Sequence, residues 1–306
     1  MRKPLRAGVA GAGVFGGHHA RKYASLPDVE LCGVYDRGTG RAVALAQELG
    51  APSFHDLEAF LDGLDVVTIA APGVTHMELA WAALDAGVHV YVEKPLASTV
   101  QGARALTAKA AEAGVVLACG HQERAVFDAM GLFTAPERPL RVEAVRRGTW
   151  SGRNADVSVV LDLMIHDLDL ALSLAEGDPV QVDGGSEVSH GPFPDRASAE
   201  IAFAGGTIAS IEADRDAGER HRTMRLVYPS GTLEIDFLAR TFSNGAGFPL
   251  NADFAETEQG RDPLGASVAA FVAAVRGEAP RPLVTGEEAA RALKLALQVE
   301  HAAPPP

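Results

Sequence analysis

A chain of 306 residues, 47% hydrophobic and 22% charged, is long enough for two domains that each bury a core. Its formal net charge of −13 repels polyphosphate backbones and argues against nucleic acid as a partner. No apolar run approaches a membrane span, and the Lys/Arg-bearing start leads into a glycine-rich strand pattern instead of a signal-peptide apolar core, so a cytoplasmic protein without membrane association is expected.

Leu5 to Ala10 reads as a strand, and Gly11-Ala12-Gly13-Val14-Phe15-Gly16 follows at once, opening a segment of helical spacing from Phe15 to Ser25. In a dinucleotide fold the first glycine makes the tight turn, the second admits the pyrophosphate, and the third lets helix pack on strand. The helix N-terminus offers N–H groups to the phosphates, which makes Gly11, Gly13, Val14, Phe15 and Gly16 candidate cofactor contacts. The next strand, Val29 to Tyr35, ends at Asp36, twenty positions after Gly16, where a carboxylate can accept hydrogen bonds from ribose hydroxyls. Arg37 pulls the other way, because an arginine there can meet a 2′-phosphate that Asp36 repels. NAD is favoured, with NADP as the alternative.

Helical patterns from Thr39 to Leu49 and from Asp56 to Leu61 precede a strand from Asp65 to Ala71. Pro72-Gly73-Val74 is a loop, and Thr75-His76-Met77-Glu78 matches a capping box that starts the next helix. Ala71, Pro72 and His76 then border the cofactor, with His76 read as a partly exposed residue of a capped first turn and not as a catalyst. Val88-His89-Val90-Tyr91-Val92-Glu93-Lys94-Pro95 begins as a buried strand and ends in a charged pair locked against a proline. Parallel sheets place ligands beyond the carboxyl ends of their strands, so Lys94 is the first candidate for chemistry and Glu93 for anchoring the turn beside the cofactor. A helix from Thr99 to Ala113, capped by Ser98 with Gln101 three residues on, and a strand from Val115 to Cys119 follow. Strand patterns separated by helices within about 120 residues describe a doubly wound parallel sheet. Cys32 and Cys119 lie inside its strands without the spacing of a zinc site or redox pair, and read as reduced core residues.

From Arg141 the pattern shifts to strands joined by short turns. Ala197 to Phe203 pairs with Thr207 to Ala213 across Ala204-Gly205-Gly206, and Met224 to Tyr228 with Thr232 to Phe237 across Pro229-Ser230-Gly231. Hairpins imply an antiparallel or mixed sheet, able to cover a site with one face and form a subunit interface with the other. Helices from Pro263 to Arg276 and Gly286 to His301 close the chain. The expected organisation is a dinucleotide-binding domain over 1–122, a substrate-binding and oligomerisation domain over 123–301, and a disordered tail over 302–306.

One helical run interrupts the strands, Val157 to Leu170. Asp162 and His166 are four apart in it and share a helical face. Ionisable groups in so apolar a run are expensive to bury without partners or a task. Three readings stay open. His166 is an acid or base oriented by Asp162; or the two begin a metal site, for which no third and fourth ligand is evident; or they form a structural ion pair or cap.

Together, Gly11-x-Gly13-x-x-Gly16, Asp36, the Pro72 to Glu78 segment, Glu93-Lys94-Pro95 and Asp162-x-x-x-His166 resemble the Gfo/Idh/MocA oxidoreductase family over nearly the whole chain. The resemblance implies an α/β plus α+β architecture: an N-terminal Rossmann doubly wound parallel sheet, then a C-terminal domain built on an open, mostly antiparallel sheet. It implies NAD(P)-dependent hydride transfer at a secondary alcohol of a sugar, cyclitol or derivative, without a metal, in a homodimer or homotetramer formed through the C-terminal sheet. Lys94, Asp162 and His166 become the catalytic group: His166 takes the hydroxyl proton, Lys94 hydrogen-bonds the alcohol oxygen, and Asp162 orients His166. A cis Lys94–Pro95 link would turn the strand end and point Lys94 inward.

Gly120-His121-Gln122-Glu123-Arg124, with the Ile165 to Asp169 segment, is similar to family members that oxidise the 3-hydroxyl of UDP-N-acetylglucosamine or its uronic acid. Those usually continue Arg-Phe-Asn-Pro, where this chain has Arg124-Ala125-Val126-Phe127. Arg124, Arg146, Arg147 and Arg153 are either a basic pocket for a diphosphate or carboxylate, or arginines solvated on a sheet face. The alternatives are an inositol or free-aldose dehydrogenase of the same mechanism and, from another class, a non-catalytic NAD(P)-binding redox sensor.

Overall fold

The computed structural model describes residues 3–38, 40–152 and 154–302. Thr39, Arg153 and the expected tail beyond Ala302 lie outside the described residues. The chain divides into two compact units, one formed by the residues up to Ala125 with Asp262–Ala290, the other by Val126–Arg261 with the chain from Arg291.

The first unit alternates strand and helix: β1 (Leu5–Ala10), α1 (Val14–Ser25), β2 (Val29–Tyr35), α2 (Gly40–Leu49), β3 (Ser53–Phe54), α3 (Leu57–Leu61), β4 (Val66–Ile69), α4 (His76–Asp85), β5 (His89–Val92), α5 (Val100–Ala113) and β6 (Leu117–Cys119). All neighbours are parallel in the order β3-β2-β1-β4-β5-β6. Every residue of β4 is buried, as a strand with both faces covered requires. The order reverses between β1 and β4, so the ligand crevice belongs beyond their carboxyl ends, where the Gly11 and Ala71 loops begin.

Helix starts depart from expectation by one residue where a better acceptor is available. Thr99, not Ser98, caps α5, its Oγ1 accepting the Gly102 N–H at 3.0 Å. The helix ends at Gly114, whose φ of 66° a residue with a Cβ adopts only at a cost.

The second unit begins within α6 (Glu123–Met130) and continues through β7 (Arg141–Arg147), α7 (Ile165–Leu174), β8 (Pro179–Glu187), β9 (Arg196–Phe203), β10 (Ile208–Asp214), β11 (His221–Tyr228), β12 (Gly231–Asp236), β13 (Thr241–Asn244) and α8 (Glu258–Arg261). Its seven strands lie in the order β13-β12-β11-β7-β10-β9-β8, antiparallel except for the β7–β10 pair. Alternation sorts the faces. Val142 and Ala144, Ala199 and Ile201, and Ile211 and Ala213 enter a core shared with α7, while Glu143, Arg147, Arg196 and Glu212 point to the open side.

After α8, helix α9 (Pro263–Val275) returns to the first unit, and α10 (Gly286–Ala302) starts there and passes into the second. The expected boundary at 122/123 therefore misses a non-local segment. Asp262 caps α9 by accepting the Gly265 N–H at 3.0 Å and pairs with Lys22 of α1 at 2.5 Å. Tyr91 of β5 hydrogen-bonds Ser267 at 2.9 Å and meets Phe271 edge-on at 5.7 Å. Full burial of Phe271 contributes roughly 1.5–3 kcal/mol to the packing of this helix on the sheet.

Candidate active site

The three loop glycines each answer a different constraint. Gly11 has φ +105°, and a Cβ there would lie 2.5 Å from the Ala70 carbonyl; one on Gly16 would lie 1.7 Å from the Gly11 carbonyl. Gly13 has nothing within 4 Å of such a Cβ, so the space above the start of α1 is open to a phosphate. No side chain caps this helix, and Val14 and Phe15 in its first turn are 59% and 45% exposed. Asp36 Oδ2 accepts the Ala12 N–H at 3.0 Å, which ties the acid at the end of β2 to the glycine loop. Arg37 pairs with Glu78 of α4. The loop, the uncapped helix start and the acid suit a dinucleotide: Gly11, Gly13 and Gly16 would hold its phosphates and Asp36 its ribose.

β4 stops at Ile69, short of the Ala71 expected to end it, Pro72 follows in the loop as expected, and the capping box does not form. Thr75 Oγ1 donates to the Pro72 carbonyl at 2.8 Å, and Glu78 is taken by Arg37. His76 is 1% exposed, which corrects the expectation of a partly exposed ring. Its Nδ1 lies 2.7 Å from the Pro95 carbonyl oxygen and its Nε2 2.8 Å from that of Ala71.

β5 delivers Glu93, Lys94 and Pro95 to the sheet's carboxyl edge, and the Lys94–Pro95 bond is cis. Lys94 is half-buried. Glu93 is buried, and its Oε1 accepts from Gln122 Nε2 at 2.9 Å and lies 2.7 Å from His19 Nε2. Neither His19 nor Gln122 is a candidate on spacing alone, since their partner is more than twenty-five positions away.

In the second unit the run holding Asp162 and His166 is not one regular α-helix. Val160–Met164 forms a π turn, with the Ile165 N–H reaching the Val160 carbonyl, and α7 takes over at Ile165. Such turns recur at functional sites. Asp162 and His166 are both half-buried while Met164, Ile165, Asp167 and Leu168 are buried, so the two still share the less covered side. Asn154 Nδ2 donates to Asp162 Oδ1 at 2.9 Å, a contact the sequence did not reveal. The Asn154 carbonyl in turn accepts from Arg215 Nη1 at 2.8 Å, and Arg215 Nε donates to buried Asp195 at 2.8 Å. Burial works against a charged Asp195, yet the His190 N–H, Arg215 and the Ser189 N–H together hold its carboxyl below the usual range.

Of the arginines expected as a basic pocket or a solvated sheet face, Arg124, Arg146 and Arg147 each meet a carboxylate of their own unit. Arg124 is buried and donates to Glu288 at 2.8 Å within the first unit. Arg146 points to the core face of β7, and Arg147, one residue on, points to the open face, where it pairs with Glu212 at 2.8 Å. Arg153 lies outside the described residues. Among the described residues no group of three or more His, Cys, Asp or Glu side chains could hold a metal ion.

Two family descriptions match the chain: an oxidoreductase family with an NAD-binding Rossmann fold over residues 5–121, and the GFO/IDH/MocA C-terminal domain over residues 131–234. The chain is 36% identical over 304 residues, 96% of each protein, to UDP-N-acetylglucosamine 3-dehydrogenase of Acidithiobacillus ferrooxidans. It is 28% identical over 279 residues to scyllo-inositol 2-dehydrogenase (NAD(+)) of Bacillus subtilis, covering 83% of this chain and 82% of that relative. A solved structure of the Acidithiobacillus enzyme matches with a TM-score of 0.91 at 34% identity, over 99% of this chain and 98% of that one. The fold and the family description over residues 5–121 define an NAD-binding oxidoreductase. The chain belongs to the Gfo/Idh/MocA family.

Proposed function

We propose that this enzyme oxidises a secondary hydroxyl of a sugar or nucleotide sugar, with the 3-hydroxyl of UDP-N-acetylglucosamine as the candidate. The observation that carries this reading is the 36% identity, over 96% of both proteins, to a UDP-N-acetylglucosamine 3-dehydrogenase. NAD, when bound, supplies the hydride acceptor. Lys94 hydrogen-bonds the alcohol oxygen and stabilises the charge that develops on it. His166 accepts the hydroxyl proton at a ring nitrogen, and Asp162 orients the ring, itself steadied by Asn154.

A screen of UDP-N-acetylglucosamine, its uronic acid, inositols and free aldoses with NAD and NADP, following NADH or NADPH absorbance, tests the reading. The expected result is kcat/KM for the UDP-sugar at least about 100-fold above that for any inositol. The reverse order would assign the chain to inositol oxidation, the activity named for the Bacillus relative.

The open sheet face supports a homo-oligomer, as a dimer or tetramer. An open cavity of about 650 Å³ there is lined by Arg147, Glu187, Arg196, Ser198, Glu212 and Asp214, charges of both signs that a second copy can meet. Light scattering on the intact chain and on Ser198→Trp checks this: a monomer in both sinks it. Among the described residues no helix is long and apolar enough to cross a membrane, and a cytoplasmic location is proposed with the activity, to be checked by fractionation.

A further inference from the structure

Lys94 stands between two residues that are each gripped by a buried histidine from a different helix. Before it, Glu93 faces His19 of α1 at 2.7 Å, and Gln122 donates to the same carboxylate oxygen at 2.9 Å. The loop after β6 closes over this carboxylate: a Cβ on Gly120 would come within 2.8 Å of it. The His19 ring also lies 5.1 Å from that of Tyr91, three residues before Lys94. After it, the Pro95 carbonyl meets His76 Nδ1 at 2.7 Å, and His76 Nε2 reaches the Ala71 carbonyl at 2.8 Å.

Buried ring nitrogens call for hydrogen-bond partners, and both histidines find theirs on the residues that flank Lys94. Carbonyl oxygens only accept, so the His76 ring meets them as a donor. The ring then links three segments: the first turn of α4, the loop after β4, and the turn after β5. His19 does the same for α1 and the end of β5. Both helices start in loops that border the dinucleotide crevice.

We propose that His19 and His76 are positioning residues that fix the Glu93–Lys94–Pro95 turn from both sides, and thereby set where the Lys94 amine stands relative to the cofactor loops. The proposal rests on the reading of Lys94 as the group that touches the substrate oxygen. The physical need is plain. A lysine carries its charge on a flexible four-carbon stem, so its aim depends on a fixed backbone beneath it. Displacement of a reacting group by about 1 Å can cost about 100-fold in rate.

The test uses the full chain with NAD and the best substrate from the screen. His76→Ala and His19→Ala should lower kcat about 10- to 100-fold while the Kd for NAD changes less than about 3-fold. The milder His76→Asn and His19→Gln keep one donor each, should fold where an alanine does not, and should recover part of the loss. A second readout needs no turnover: the rate at which an acylating reagent modifies Lys94 in cofactor-free protein, read by peptide mass spectrometry against Lys294. It should change at least about 3-fold in the variants. Unchanged kcat and unchanged Lys94 labelling in folded variants would overturn the proposal. So would a loss of kcat that only parallels a loss of NAD binding and thermal stability. If Lys94→Ala itself turns over normally, the reading of Lys94 fails and not the clamp geometry, and labelling alone decides the latter.

Discussion

Asp36 and Ala12 are joined by a hydrogen bond of 3.0 Å from the Ala12 N–H to the Asp36 carboxylate, so the acid that would read the ribose also braces the phosphate loop. A hydrogen bond to a charged group is worth about 1.5–3 kcal/mol, or about 10- to 100-fold in affinity. Asp36→Ala should therefore raise the Kd for NAD by that factor. It should also narrow the preference for NAD over NADP, because the repulsion of a 2′-phosphate is gone. Titration of both cofactors checks it; an unchanged ratio of the two Kd values would exclude Asp36 from cofactor choice.

In the second unit, Arg146 donates from Nε and Nη2 to the two Asp167 oxygens at 2.7 and 2.8 Å, with the two residues 7% and 2% exposed. A buried charge left alone costs more than the pair contributes. Asp167→Ala should destabilise the protein by about 3–5 kcal/mol, lowering Tm by roughly 10 °C. Arg146→Met with Asp167→Leu should recover most of that. Calorimetry of the single and double variants decides; a double variant no more stable than Asp167→Ala would contradict the argument.

What was legible in the sequence had local causes. β2 runs from Val29 to Tyr35, where its pattern predicts it, and the β9–β10 and β11–β12 hairpins pair across the turns expected of them. β3 has two residues, too few to show a period. The π turn at Val160–Met164 was hidden because residue spacing read against an α-helix cannot show a widened turn. Non-local choices were hidden for another reason. Glu78 matches a capping box by spacing, but Arg37, 41 positions away, takes it, and α9 packs on a sheet whose last strand ends far earlier in the chain. Asn154, Arg215 and His19 were hidden because their significance lies in partners that only folding brings near, and the bond from Gln122 to Glu93 was hidden for the same reason.

Lys94 and His166 carry the proposed chemistry. Lys94→Ala and His166→Ala should each lower kcat about 100- to 10,000-fold with NAD affinity retained. Asn154→Ala removes one hydrogen bond to Asp162 and should cost less, about 5- to 10-fold. Steady-state rates with NAD titrations separate these. If both alanine variants bind substrate and NAD normally and neither slows NADH formation, the catalytic assignment fails.

His89 opens β5, and its Nδ1 accepts the Val116 N–H at 2.9 Å, a bond that requires the neutral ring. Burial pushes its pKa below the ordinary 6.5, against a smaller opposing pull from Asp65. The sign follows from proton binding: between the lowered folded value and 6.5 the unfolded chain binds more protons, so stability rises with pH. The contribution of His89 is thus complete above 6.5 and is lost as the pH falls through the folded value. His89→Asn keeps an acceptor in a similar place but does not titrate. Wild-type Tm should fall more steeply than that of the variant as the pH is lowered from about 7 to about 5. Parallel curves over that range would show that the Val116 bond does not depend on the charge of the ring.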